Sequence, residues 1–203
     1  MYLWIDIETT GLDANREKIL EMAWFITDEN LLKLTEGKTS FVQHDLSTVV
    51  ERLAQNPEAQ KLHEESGLME NYVHALQGEG VVKRIEDIED EIMDDLDSVW
   101  GDDALELVTV AGASVHFDKD FLSVTMPRLS RLFHHRNLDI SAIRLMMKTH
   151  GINSVSERTD RVKHRALDDI ESTYDMAVDY YKFTREGILA YFEKIDAPKE
   201  DEN

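Results

Sequence analysis

Two acidic side chains stand at the far end of the first apolar stretch of the chain. Asp6 and Glu8 interrupt the end of Tyr2–Ile7, whose aromatic and β-branched residues predict a buried strand. Because side chains alternate along a strand, both carboxylates point to the same face. Neighbouring anions repel each other, and a divalent cation, Mg²⁺ or Mn²⁺, is the simplest group that would stabilise them. The alternative is a strand end whose acids face water.

Two further acids follow other predicted elements. A strand over 105–110 leads through small residues to Asp118 and a helix start at Phe121, which is where an α/β sheet places a site. A helix N-cap is the alternative role for Asp118. Asp169 lies on the first turns of a long helix. His164 can converge with it only from the preceding loop, because residues five apart do not stack on one helical face.

The four carboxylates and the histidine form a pattern typical of phosphodiester hydrolysis. Four acids can hold two divalent cations about 4 Å apart, and such a pair clamps the attacking and leaving oxygens. A histidine whose pKa lies near neutrality can take the proton from the attacking water. The pattern therefore predicts a metal-dependent hydrolase.

Composition predicts one compact globular domain. The 203 residues are 42% hydrophobic and 32% charged, and we expect a single domain over 1–195 followed by a polar tail over 196–203. No apolar run approaches membrane-spanning length and the N-terminus lacks the basic start of a signal peptide, so no membrane partner is expected. The chain has no cysteines, which excludes disulfides and thiolate metal sites and fits a cytoplasmic location.

Charge is distributed unevenly along the chain. The net charge of −20 argues against broad, nonspecific binding to long nucleic acid. Eleven acids fall between Glu86 and Glu106, whereas Arg128 to Arg165 carries nine Lys or Arg against three acids, a local balance of +6. Because charges more than about 8 Å apart are largely screened at physiological salt, a basic pocket can coexist with an acidic body. Small anionic ligands remain compatible with this composition.

The other elements follow from hydrophobic periodicity. Strands are predicted over 18–27, 31–34 and 40–43, and helices over 57–67, 68–76, 85–100 and 142–148. A long helix opens at 164–170, and a last helix ends near 195. In the helix over 85–100 the apolar residues form one face, and the acids between them are interpreted as solvated rather than as a cation store. His63 and His74 are interpreted as surface histidines, with a ligand contact as the alternative.

At these motifs the chain resembles the oligoribonucleases of the DEDDh 3′–5′ exonuclease superfamily. The resemblance runs from Leu3 to about Phe183. Its anchors are Trp4 to Asp13, His63 with Ser66 to Leu68, Gly112 to Asp118, Met126-Pro127, Phe133-His134 with Arg136, Leu138 to Ser141, and His164 to Ile170.

The resemblance implies an α/β, RNase H-like mixed sheet flanked by helices. It also implies a homodimer that removes nucleotides from the 3′ end of short single-stranded RNAs, with two Mg²⁺ or Mn²⁺ ions as cofactors. The implied metal ligands are Asp6, Glu8, Asp118 and Asp169, with His164 as general base. The implied substrate contacts are Thr9, Leu12 as a wedge between two bases, and a 5′-phosphate cap of His63, Ser114, Arg136 and Ser141.

Two departures from the family pattern affect the dinucleotide preference and the dimer contact rather than the chemistry. His135 stands where the family usually has a tyrosine that reaches the phosphate cap of the neighbouring subunit, so His135 is a candidate substrate contact. A family tryptophan shortly before His63 is not found in 56–62. Two alternatives stay open: a 3′–5′ single-strand DNA exonuclease of the same superfamily, and a noncatalytic interaction module.

Overall fold

The computed structural model of the chain describes residues 1–100, 107–152 and 164–196. Its strands are β1 (Tyr2–Thr9), β2 (Ile19–Thr27), β3 (Lys38–Val42), β4 (Val82–Lys83), β5 (Thr109–Gly112) and β6 (Leu138–Asp139). Its α-helices are α1 (Leu46–Gln55), α2 (Pro57–Glu65), α3 (Leu68–His74), α4 (Ile85–Trp100), α5 (His116–Thr125), α6 (Pro127–Ser130), α7 (Ile140–Thr149) and α8 (Ala166–Asp196). A π-helical turn, Ala75–Glu79, follows α3.

The strands form one mixed sheet with β1 in its interior. The order is β4-β3-β2-β1-β5-β6. β1 pairs antiparallel with β2 from Tyr2↔Thr27 to Glu8↔Glu21, and parallel with β5. Because β1 is flanked on both edges and covered on both faces, it is as apolar as the sequence predicts, apart from the acids at its end.

Helices cover both faces of the sheet. On one face Leu3 and Ile5 pack with residues of α4 and α5. On the other face Trp4 and Phe25 stack with ring centroids 5.7 Å apart and pack against the apolar stripe of α8. A third cluster joins β2 and β3 to α1 and α3. Among the described helices none is both long and apolar enough to cross a membrane.

Several predicted elements differ from the structure. The strand over 31–34 is wrong: only Lys33 forms an isolated bridge, because the Asp28 carboxylate accepts the N–H groups of Asn30 and Leu32 and closes a turn in which Leu31 has φ 65°. The prediction omitted α1, whose buried Val49 and Leu53 show helical spacing. The two predicted C-terminal helices are one continuous α8.

Other predictions lie partly outside the described residues. These are the start of the strand over 105–110, the polar loop that the sequence predicts over 151–163 and most of the polar tail.

Some acids of α4 are not solvated as predicted: Asp95 accepts the Trp24 indole N–H, and Glu89 is buried. The Glu89 carboxylate accepts the backbone N–H groups of Arg128 and Leu129 at 2.8 and 3.0 Å. It thereby satisfies the free donors at the start of α6. The Glu89 carboxylate also pairs with the Arg128 guanidinium at 2.8 Å. The acidic run is therefore partly structural.

Candidate active site

Asp6, Glu8 and Asp118 meet at the end of β1. Asp6 and Glu8 project from alternate residues of the strand, and Asp118 lies on the first turn of α5. The Asp118 Oδ1 atom accepts the backbone N–H of Ile7 at 3.1 Å, which docks the start of α5 against the strand. This side chain is only 4% exposed, so its carboxylate belongs to the interior rather than to a solvated N-cap.

The start of α8 brings a histidine and the fourth acid to the same place. His164 precedes the helix with φ 43°, and Asp169 lies on its first turns. Each of Glu8, His164 and Asp169 offers an atom able to bind a metal, and these atoms all lie within 4.8 Å of one another. The structure thus joins the loop histidine to the acids as the sequence required.

Burial and mutual repulsion raise the pKa values of the four acids. Burial, with added repulsion from Asp118, Glu8 and Asp169, raises the pKa of Asp6 well above its usual range. Burial is also the main cause that raises the pKa of Glu8 to about 8 and that of Asp118 to about 7, and it raises the pKa of Asp169. A cation among the four would reverse these shifts.

The donor set fits a divalent metal. Carboxylate oxygens are the ligands that Mg²⁺ and Mn²⁺ prefer, and an imidazole is compatible with Mn²⁺. Four acids converge on one point although their repulsion disfavours it, which is the arrangement expected of a site built for cations. Asp6, Glu8, Asp118 and Asp169 are the residues that would hold them.

His63 is buried beside this cluster, so its interpretation as a surface histidine is wrong. It is 1% exposed, and Nε2 donates to the Thr9 carbonyl at 2.7 Å. Nδ1 lies 3.8 Å from Glu8 Oε2 and has no hydrogen-bond partner among the described residues. Burial lowers the pKa of His63, which favours the neutral ring. His74, by contrast, is exposed as predicted.

A cleft of about 700 Å³ opens next to Glu8. Its lining includes Thr9, Leu62, His63 and Phe117, and the Leu12 side chain at its edge is 84% exposed. Much of the lining is apolar, as required for a surface that receives a nucleobase.

Gly11 keeps the loop at this edge close to α1. A Cβ at this position would lie 2.8 Å from the Asn56 side chain. A side chain at position 11 would therefore require the Asn56 side chain or this loop to shift.

Two serines meet on the other side of β1. Ser114 and Ser141 follow β5 and β6, and both backbone N–H groups donate to Asp139 Oδ1, at 3.1 and 2.9 Å. Their hydroxyl oxygens lie 3.3 Å apart. Asp139 thus holds Ser114 at φ 55°, a conformation that non-glycine residues rarely adopt.

The neighbouring basic segment is open to solvent. Arg136 and His135 are exposed, and the His135 ring lies 4.1 Å from that of His134, centroid to centroid. The Arg136 side chain is therefore accessible to an anionic ligand.

Sequence reasoning missed two residues next to the site. Glu21 is 2% exposed on β2, and its carboxylate binds the Arg165 guanidinium. The available signal was an acid inside an otherwise apolar strand.

Comparison with known proteins identifies the family of this chain. The family model described as Exonuclease matches residues 3–177. The oligoribonuclease of Haemophilus influenzae is 33% identical, and that of Serratia proteamaculans is 32% identical. Each of these matches covers 89% of this chain and 92% of the relative.

Solved structures of exonuclease I share the fold at lower identity. The zinc-bound complex of Escherichia coli exonuclease I with single-stranded DNA has a TM-score of 0.60 at 15% identity, and covers 95% of this chain but 42% of that one. Exonuclease I of Methylocaldum szegediense has a TM-score of 0.59 at 18% identity, covering 87% and 39%. The RNase H-like fold is therefore confirmed, and the match at 33% identity over most of both chains places this protein in the oligoribonuclease family of exonucleases.

Proposed function

We propose that this protein is a 3′–5′ exoribonuclease that degrades dinucleotides and slightly longer RNAs to mononucleotides. The observation that carries the proposal is the position of the carboxylates between two unlike surfaces. The cleft lies beside Glu8 and α2. The two serines follow the ends of β5 and β6, the strands on the opposite side of β1 from β2. A phosphodiester at the carboxylates would thus have one nucleotide on each side.

In this proposal each surface binds one end of a short substrate. The 3′-terminal nucleotide occupies the cleft, where Leu12 separates the two bases and Thr9 and His63 line the wall. The 5′ phosphate binds Ser114, Ser141 and Arg136, since hydroxyls and a guanidinium are suitable donors for phosphate oxygens. His63 was expected in this phosphate cap, but its hydrogen bond to Thr9 favours a place on the 3′ side.

The chemistry assigned to the chain is proton transfer and orientation. His164 accepts a proton from the attacking water, because its imidazole lies beside the acids that would hold the cations. Two divalent cations held by the four acids would supply Lewis-acid stabilisation of the charge that develops on the phosphate. Asp118, fixed by the Ile7 N–H, orients its carboxylate without further rearrangement.

The most direct test is a time course on 5′-labelled RNAs of two to ten residues, with Mg²⁺, Mn²⁺ or EDTA. We expect a ladder of 3′-shortened products, fastest turnover of the shortest RNAs and no turnover in EDTA. Immediate release of the labelled mononucleotide from long RNAs would contradict the 3′–5′ direction. Binding without turnover in every metal would instead support the noncatalytic alternative.

A DNA substrate is the second candidate, because one structural neighbour is described as a complex with single-stranded DNA. Cleavage rates of matched RNA and DNA dinucleotides decide between the two. Faster cleavage of DNA would replace the proposed substrate.

We also propose a homodimer on the basis of the family resemblance. The mass of the protein in solution, measured by light scattering against the monomer mass of 23.4 kDa, tests it.

A further inference from the structure

An ion pair between the half-buried Arg165 and the buried Glu21 lies next to the proposed catalytic residues. Glu21 lies opposite Glu8 in the β1–β2 register and is 2% exposed. Arg165 Nη2 donates to Glu21 Oε1 at 2.6 Å, and Arg165 Nε donates to Oε2 at 3.0 Å. The guanidinium also lies over the Phe41 ring, 5.4 Å from its centroid. This two-point contact leaves the Arg165 side chain little freedom.

The same carboxylate also fixes the first residue of α8. Glu21 Oε2 accepts the backbone N–H of Ala166 at 3.1 Å, which is one of the donors left free at a helix start. Glu21 therefore binds both residues that directly follow His164.

His164 needs such a support. Its φ of 43° lies in the left-handed region, which a non-glycine residue leaves unless its surroundings hold it there. Within the described residues, the Arg165 and Ala166 contacts to Glu21 are the nearest anchors in sequence.

Glu21 requires a positively charged partner because it lies directly opposite Glu8. A second anion directly across from Glu8 would add to the repulsion within the cluster. The Arg165 guanidinium neutralises it, and a neutral donor could not do so.

We propose that Glu21 and Arg165 form a positioning pair that holds the His164 imidazole in its catalytic orientation. The inference rests on the proposed role of His164 as general base. Neither residue of the pair touches the substrate; both act through His164. A displacement of a catalytic group by about 1 Å can lower a rate about 100-fold, so loss of the pair is expected to reduce kcat by about 10- to 100-fold.

The test is a double-mutant cycle with His164. Glu21→Gln and Arg165→Gln are each made in the native chain and in His164→Ala, and single-turnover rates are measured on 5′-phosphorylated diuridine RNA. In the native background we expect the 10- to 100-fold loss. In the His164→Ala background the same changes should lower the rate less than about three-fold, because their target is absent. Binding of the dinucleotide in Ca²⁺ should change less than about three-fold in either variant.

Two further variants separate positioning from general destabilisation. Glu171→Gln removes the ion pair that Lys33 makes with the next turn of α8, and it should keep the native kcat. Arg165→Lys keeps the charge but loses the two-point contact, so its rate should fall between those of the native chain and Arg165→Gln. Melting temperatures of all variants, measured alongside, test whether each is folded at the assay temperature.

Three results would overturn the inference. An equal loss in both backgrounds would assign the pair to stability or metal binding. If Glu21→Gln keeps the native rate while His164→Ala loses most of it, the positioning role of the pair is refuted and the proposed function stands. A native rate in His164→Ala would refute the general base and the positioning pair together.

Discussion

At the end of β1 the Asp6 carboxylate lies among Asp118, Glu8 and Asp169, whose charges oppose its ionisation. Such a side chain is suited to metal binding and unfavourable to the fold when no metal is present. Activity and stability should therefore respond in opposite directions to its removal.

We predict that Asp6→Asn lowers activity and raises the stability of the metal-free protein. Activity should fall more than about 100-fold, because the metal pair loses a charged ligand. In EDTA the melting temperature should rise, by about 2–4 °C for each kcal/mol of repulsion relieved in a chain of this size. The melting temperatures are measured by calorimetry, once in EDTA and once in Mn²⁺. The control is Asp97→Asn, which changes the same charge on an exposed part of α4. Near-native turnover would exclude Asp6 from the site.

Arg136 provides a second prediction at this scale. A charge-assisted contact to phosphate contributes about 1.5–3 kcal/mol, so Arg136→Ala should weaken binding of a 5′-phosphorylated dinucleotide by roughly 10- to 100-fold. The unphosphorylated dinucleotide should bind as before. Titrations in Ca²⁺ measure both ligands, with the exposed Arg131→Ala as the control. Equal losses for the two ligands would place Arg136 outside the cap.

Among the elements, α4 combines exposed acids with acids that pack against other elements, of which Glu89 is one. Glu89 caps α6 and pairs with Arg128, whereas Glu86, three residues earlier, is exposed. The same residue type therefore has two roles on one helix, decided by what packs against it.

We predict that Glu89→Ala lowers the free energy of unfolding by about 2–3 kcal/mol, because it removes a helix cap and a charge-assisted contact. Glu89→Gln should lose less, since the amide oxygen can still accept the α6 N–H groups. Urea denaturation measures both, and Glu86→Ala should stay within about 0.5 kcal/mol of the native chain. Similar losses for Glu86→Ala and Glu89→Ala would contradict this assignment.

For the whole molecule, the metal-free protein should become less stable as pH rises from about 6.5 to 8. Glu8 and Asp118 have folded-state pKa values of about 8 and 7, far above their unfolded values, so the folded state binds more protons in this window. The free energy of unfolding must then fall with pH. Below about pH 6.5 the lowered pKa values of His44 and His63 make the free energy of unfolding rise with pH instead. The prediction is therefore limited to pH values above about 6.5.

Melting temperatures in EDTA between pH 6.5 and 8 test this prediction. Glu8→Gln should flatten the dependence, and saturating Mn²⁺ should reverse it, because cation binding requires the ionised acids. A melting temperature that rises with pH in EDTA would show that another group controls the stability of the metal-free protein.

The sequence by itself determined the features that depend on local periodicity. Alternation in β1 places Asp6 and Glu8 on one face, and the apolar spacing of α4 and α8 gives their buried stripes. His164 and Asp169 are five residues apart, so they can converge only if His164 lies in a loop before α8. The helix does begin after His164, at Ala166. These outcomes follow from backbone geometry, because the direction of side chains repeats with a fixed period along a strand or a helix.

Only the tertiary structure decided which of these polar side chains are buried, because burial of a charge requires a partner, and their partners are distant in sequence. Arg165 reaches Glu21 across 144 positions, and Glu89 reaches the start of α6 across 39. His63 was interpreted as a surface residue because nothing in its own helix indicates the Thr9 carbonyl it contacts. Periodicity marks the face of an element, whereas the partner of a buried polar group is set by the packing of separate elements against one another.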